Sequence, residues 1–202
     1  MPFDRNPKLG RRRLLTGVVG GAVLALLPSF PALAMEQLRI GGERGTIDFS
    51  IGDSAIFRTT GSFKDWRGML NVDESNVRAS SVSVEVNTKS IEMLDLQQTT
   101  MLKDSDFFDV DKFPEMIFRS RTVERTGEST LKVIGDVTLR GITRPMVLNI
   151  SVTDRQPNAP AGTRYARFRG EGKINRSEFG MTKYVDVVGD TVDITIRADA
   201  WR

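Results

Sequence analysis

The chain reads as an all-β protein built from antiparallel strands, and three observations predict this. Apolar and polar residues alternate with period two along most of its length. Turn-forming residues punctuate the alternation at short intervals, and one stretch departs from it. Strands with one apolar and one polar face belong to antiparallel sheets that meet solvent on one side. About eight strands can be counted, the range of a closed barrel or a sandwich.

Taken in order, Ile47, Phe49 and Ile51 share a face, as do Val82, Val84 and Val86. Leu131, Val133, Gly135, Val137 and Leu139 hold one parity, with Thr130, Lys132, Asp136, Thr138 and Arg140 on the other. Met146, Leu148, Ile150 and Val152 repeat the pattern, and so do Val192, Ile194, Ile196, Ala198 and Ala200. Gly41-Gly42, Thr126-Gly127, Arg140-Gly141 and the loop 156–162 supply the turns. Gly135, Gly170 and Gly172 fall within apolar strands, where glycine marks a bend, a close approach or a bulky neighbour. The exception runs from Ser90 to Lys103. Ile91, Met93, Leu94, Leu96, Met101 and Leu102 fit no strand period, and the run Met93–Lys103 is rich in helix formers. It predicts one short helix or two turns over one end of the sheet, serving as an adaptable lid or as a core plug.

Residues 1–34 have a separate grammar. Arg11-Arg12-Arg13 opens onto the apolar run Leu14–Leu27, followed by Pro28, Pro31 and the small-x-small triplet Ala32-Leu33-Ala34. That is the order of a secretory signal. Arg11-Arg12 followed by two leucines resembles the twin-arginine type, with Gly10 and Thr16 departing from it. The apolar run has 14 residues and is interrupted by Gly17, Gly20 and Gly21. A spanning helix needs roughly 20. Export to the periplasm is therefore expected, with cleavage after Ala34, a mature domain over 35–202 and no remaining transmembrane segment.

The charge balance follows the same division. The chain holds 29 basic and 26 acidic residues, of which the first 34 residues contain five and one. The mature part is left with 24 against 25, a net charge of −1. Nucleic-acid binding, which needs clustered surplus Lys and Arg, is not expected. The chain contains no Cys and no His. Disulfides, Cys nucleophiles, Ser-His-Asp triads and the usual Zn, Cu and haem ligand sets are excluded. No cofactor, metal or catalytic site is expected. The run Asp104, Asp106, Asp109, Asp111 lacks the glycine and terminal glutamate of a calcium loop. Phe107 and Phe108 beside it read as anchors in the core, and Arg144 and Arg176 as partners for aspartates or, second to that, as receivers of an anionic head group.

Four stretches then carry a resemblance. Residues 102–120 (LKDSDFFDVDKFPEMIFRS), 135–145 (GDVTLRGITRP), 174–181 (INRSEFGM) and Val188-Gly189-Asp190 resemble, in order and spacing, the YceI family. These are periplasmic lipocalin-like proteins that bind polyisoprenoid and related amphiphilic lipids. The resemblance covers 37–202 and implies an antiparallel eight-stranded lipocalin-like barrel with a short helix over one end. Family members commonly carry a His-Ser pair before the second strand and another His after it. Here the corresponding residues are Glu43-Arg44-Gly45-Thr46 and Ile51-Gly52-Asp53-Ser54, while Gly61-Ser62-Phe63 is retained. The resemblance implies a carrier that sequesters an isoprenoid or quinone-like lipid inside the barrel. An eight-stranded barrel either fills with side chains or holds one small ligand. The candidate wall is Phe49, Phe57, Phe63, Trp66, Met93, Leu96, Met101, Phe118 and Phe168. Two other readings stand beside it: a filled barrel acting as a structural or stress-response partner-binding module, and an enzyme using carboxylates or Tyr184. An apolar end of the barrel leaves homodimerisation open.

Overall fold

The computed structural model describes residues 35–52 and 58–202. Its strands are β1 (Glu36–Gly41), β2 (Gly45–Ile51), β3 (Thr59–Phe63), β4 (Trp66–Val72), β5 (Ser81–Asn87) and β6 (Ile91–Met93), then β7 (Glu115–Arg125), β8 (Thr130–Leu139), β9 (Ile142–Thr153), β10 (Arg164–Asn175) and β11 (Thr191–Trp201). Two helices join them, α1 (Leu96–Lys103) and α2 (Val185–Val188). Neither is long and apolar enough to cross a membrane. The sheet runs β1-β4-β5-β7-β8-β9-β10-β11-β2-β3-β6, and a further β1–β11 pairing closes it.

These segments amount to eight passes of the chain. β1 and β2 form one pass interrupted at Gly42–Arg44, β3 and β4 a second, and β5 and β6 a third interrupted at Thr88–Ser90. The halves stay in step across the three passes. Leu38 pairs with Leu70 and Leu70 with Val82, while Ile47 pairs with Phe63 and Phe63 with Ile91. The product is a closed antiparallel eight-stranded barrel, as the resemblance implied. The interruptions have a local cause. Gly41 and Gly42 adopt φ values of +106° and +59°, a region that favours glycine. The Trp66 side chain, 2% exposed, fills the kink between them. A Cβ on Gly41 would lie 2.6 Å from the Trp66 carbonyl oxygen, and one on Gly45 2.6 Å from its ring. Trp66 is therefore a packing residue of the kink rather than part of a ligand cavity.

The alternation predicts the barrel walls. Along β8, Val133, Gly135, Val137 and Leu139 are buried, and the residues between them are less so. The glycines within strands make room for bulky neighbours on flanking strands: Ile150 beside Gly170, and Met146 and Leu148 beside Gly172. The helical expectation for 90–103 is corrected over its first part. Ile91 and Met93 continue the third pass as β6, paired with Phe63 and Gly61, because both point inward at strand spacing. Only Leu96–Lys103 is helical. Asp95 caps it by accepting a hydrogen bond from the Gln98 amide at 2.9 Å. Thr99 is the buried residue of α1, and its hydroxyl accepts from the Met93 amide at 3.0 Å. Leu96, three positions earlier, is 81% exposed and stands outside the interior.

At Gly135 the wall leaves no room for a side chain. An added Cβ would lie 2.4 Å from the Arg119 carbonyl oxygen and 2.6 Å from the Phe118 ring. Gly135→Ala is expected to destabilise the barrel by about 2 kcal/mol, the usual scale of overpacking. Urea unfolding reads this as a lower midpoint at unchanged slope. A midpoint equal to that of the parent would contradict the packing described.

Candidate functional site

The interior of the barrel is not fully filled. Near α1 lies a cavity of about 230 Å3, the helix-end chamber, and toward the end where β1 begins and β11 finishes a second of about 420 Å3, called the termini-end chamber. Their walls meet at Val84, Phe118, Leu148 and Ile196, which line both.

The helix-end chamber is built from aromatic and sulfur side chains. Phe49, Phe63 and Phe108 contact in series, with ring centroids 5.7 and 5.5 Å apart. Met93, Met101, Met116, Met146 and Met181 complete much of its lining. Methionine is unbranched and polarizable, so such a wall adapts to guests of different shape. Phe107 is buried and Phe108 packs on the core, which anchors the loop after α1 as anticipated. The neighbouring aspartates diverge to separate cations. Asp106 pairs with Lys183, and Asp111 with Lys89 at 2.8 Å. Among the described residues, no group of three acidic side chains is arranged to hold a metal ion.

The polar groups of this chamber are largely committed elsewhere. Arg176 is 6% exposed and donates to the carbonyls of Gly189 (2.9 Å), Met181 (3.0 Å) and Lys183 (2.7 Å). Burial pushes its pKa down. The expected pairing of Arg176 and Arg144 with aspartates is thus corrected. Arg176 ties its own loop together through backbone oxygens, and Arg144 donates to the Thr143 carbonyl. Asp190 instead accepts from the amide and hydroxyl of Ser177, at 2.8 and 2.6 Å. Burial disfavours the Asp190 carboxylate, but these donors outweigh it and hold its pKa below the ordinary value.

The termini-end chamber is apolar within and polar at its rim. Phe168, Leu70, Val72 and Ile150 belong to its wall. At the rim the Tyr165 hydroxyl and the Arg155 guanidinium both donate to the Glu74 carboxylate. Burial and this contact push the Tyr165 pKa up to about 12. The Tyr165 hydrogen bond and then Arg155 hold the Glu74 carboxyl below its ordinary range. The three residues come from two loops and a strand 91 positions apart, so no local motif announces them.

The anticipated wall residues therefore divide. Phe49, Phe63, Met93, Met101 and Phe118 stand in the helix-end chamber, and Phe118 and Phe168 in the termini-end one. Trp66 fills the kink, Leu96 faces solvent, and Phe57 lies outside the described residues. Met116, Met146 and Met181 of the helix-end wall, and the Glu74–Arg155–Tyr165 rim, were reached only by the fold.

A family model described as a YceI-like domain matches residues 39–200. A UPF0312 protein of Pseudomonas savastanoi pv. phaseolicola is 33% identical over 173 residues, covering 85% of this chain and 89% of that protein. A Protein YceI of Salmonella newport is 30% identical over 158 residues, 78% of this chain and 82% of that one. Among solved structures, Burkholderia cenocepacia BcnA superposes with a TM-score of 0.66 at 21% identity, covering 77% of this chain and 95% of that one. A polyisoprenoid binding domain from Saccharophagus degradans gives a TM-score of 0.60 at 10% identity, covering 81% and 97%.

The rim makes a pH-dependent prediction. A carboxyl whose folded pKa is lowered stabilises the fold above its ordinary pKa, and that contribution fades as pH falls through the lowered value. Tyr165→Phe is expected to lose about 1 kcal/mol at neutral pH, a figure moderated by the partly open position of Glu74. The deficit should shrink once Glu74 is protonated. Urea unfolding at neutral and acidic pH compares the two; an equal deficit at both would show that the carboxylate is not the partner that matters.

Proposed function

The chain belongs to the YceI-like domain family, and we propose that it is a non-catalytic carrier holding one amphiphilic lipid of isoprenoid or quinone type inside the barrel. The observation that carries this reading is the interior itself: two adjoining chambers walled by aromatic, aliphatic and methionine side chains. Ligand sites of this kind are concave and mostly apolar, with volumes of roughly 300–1,000 Å3. The termini-end chamber falls in that range and the helix-end chamber adjoins it. Each buried methylene contributes about 0.8 kcal/mol. A chain burying about ten of them gains about 8 kcal/mol before the losses of association, enough to account for useful affinity.

The polar groups support binding over chemistry. Arg176 is committed to three carbonyls, Lys183 to Asp106, and Tyr184 is half exposed beside Phe107. None forms the pair of acid and base that proton transfer requires. The solved polyisoprenoid binding domain with the same fold favours the isoprenoid class. The histidines that the family resemblance leads one to expect are absent from this sequence, so either other polar side chains orient the head group or the ligand differs from that of histidine-bearing members. Residues 1–34 lie outside the described residues; their sequence supports export to the periplasm by a twin-arginine type of signal.

Two measurements test this. Native mass spectrometry of the mature protein from its own periplasm should show a stoichiometric added mass that extracts into organic solvent as a prenyl chain or quinone. A ligand-free mass, with no thermal shift on adding isoprenoid lipids, would overturn the carrier reading and favour a partner-binding module. The same spectrum should place the mature N-terminus at Met35, whereas an intact Met1 in the fractionated protein would overturn the signal assignment.

A further inference from the structure

We infer that Phe118 is the chain-length gauge of this barrel, dividing the interior so that a lipid must displace its ring to extend from one chamber into the other. The inference rests on the lipid-binding reading above and deepens it. Phe118 sits on β7 between Val84 of β5 and Val137 of β8. Together with Val84, Leu148 and Ile196 it forms the partition shared by the two chambers. Among these four it is the largest, and its place exists because a neighbour has no side chain. A Cβ on Gly135 would lie 2.6 Å from Cζ and 2.9 Å from Cε2 of the Phe118 ring.

The partition is unequal in its freedom. Val84 and Ile196 are β-branched and stiff at χ1. An aromatic ring moves as one body between staggered positions of its first torsion, so a single rotamer change sweeps the largest area of the bore. A lipid chain short enough for one chamber leaves the ring in place and gains affinity with each added carbon. A longer chain must displace the ring, giving up its contacts with the Gly135 berth and the partition. The rise of affinity with length should therefore stop where one chamber is full. Removing the ring joins the chambers and removes the stop.

The test is equilibrium binding of geraniol, farnesol, geranylgeraniol and solanesol to the folded mature protein, to Phe118→Ala and to Phe118→Leu. Displacement of a fluorescent apolar probe gives the affinities. The parent should tighten over the shorter alcohols and then level off. Phe118→Ala should continue to tighten, exceeding the parent by about tenfold for the longest chain, with Phe118→Leu between them. Circular dichroism confirms folding, and if Phe118→Ala does not fold the Leu variant decides. Identical length profiles in parent and variant would overturn the gauge while leaving lipid binding intact. Failure of every alcohol to bind either protein would overturn the carrier reading as well.

Discussion

The barrel exists because β11 spans the interruption in the first pass, pairing with β2 along Val192–Ala198 and meeting β1 at Trp201. With the sheet closed, backbone hydrogen bonds set the bore, and an eight-stranded bore is just wide enough for side chains or a small guest. Every inward residue then competes for a fixed volume. Kinks in three adjacent passes turn the chain around Trp66 without opening the sheet, and Gly41 and Gly45 give that ring its room. What remains is decided residue by residue. Phe118 against Gly135 closes the middle, while space persists on either side of it.

The two ends solve different problems. At the helix end, loops must be held over an apolar cavity without a disulfide. Arg176 does this by gathering three carbonyls of its own loop, and Asp190 by accepting twice from Ser177. Phe107 and Phe108 fasten the opposite loop from the α1 side. At the termini end the closure is electrostatic. Glu74 draws Tyr165 and Arg155 together from separate segments, and both ends therefore depend on a carboxylate held below its ordinary pKa, Glu74 at this rim and Asp190 at the helix end. A buried charge is tolerable only where it is paired or fully hydrogen-bonded, and each end meets that requirement by a different route.

Much of this was legible in the sequence where the information is local. Period-two alternation in β8 and β11 reports which face is buried, because neighbouring strands impose the same parity on both. The Asp95 cap and the Gly41-Gly42 turn act over a few residues. Reading failed where packing across the barrel overrides local preference. Ile91 and Met93 sit beside strong helix formers yet extend a strand, because Phe63 and Gly61 offer them partners. Leu96 and Trp66 are as apolar as Met101 and Phe63, and nothing in their composition says that one faces solvent and the other fills a kink. Arg176 was expected to seek a carboxylate and instead found carbonyls, which no residue count displays.

The sequence by itself determined most of the strands, their antiparallel relation, and the absence of thiol and imidazole chemistry, because these follow from residue type and spacing; the family entered through the resemblance of four motifs. Only the tertiary structure decided where empty space remains, that Phe118 divides it, and that Glu74, Arg155 and Tyr165 meet at one rim. Cavities and rims are sums over side chains from distant strands, and their geometry is undefined until the sheet has closed.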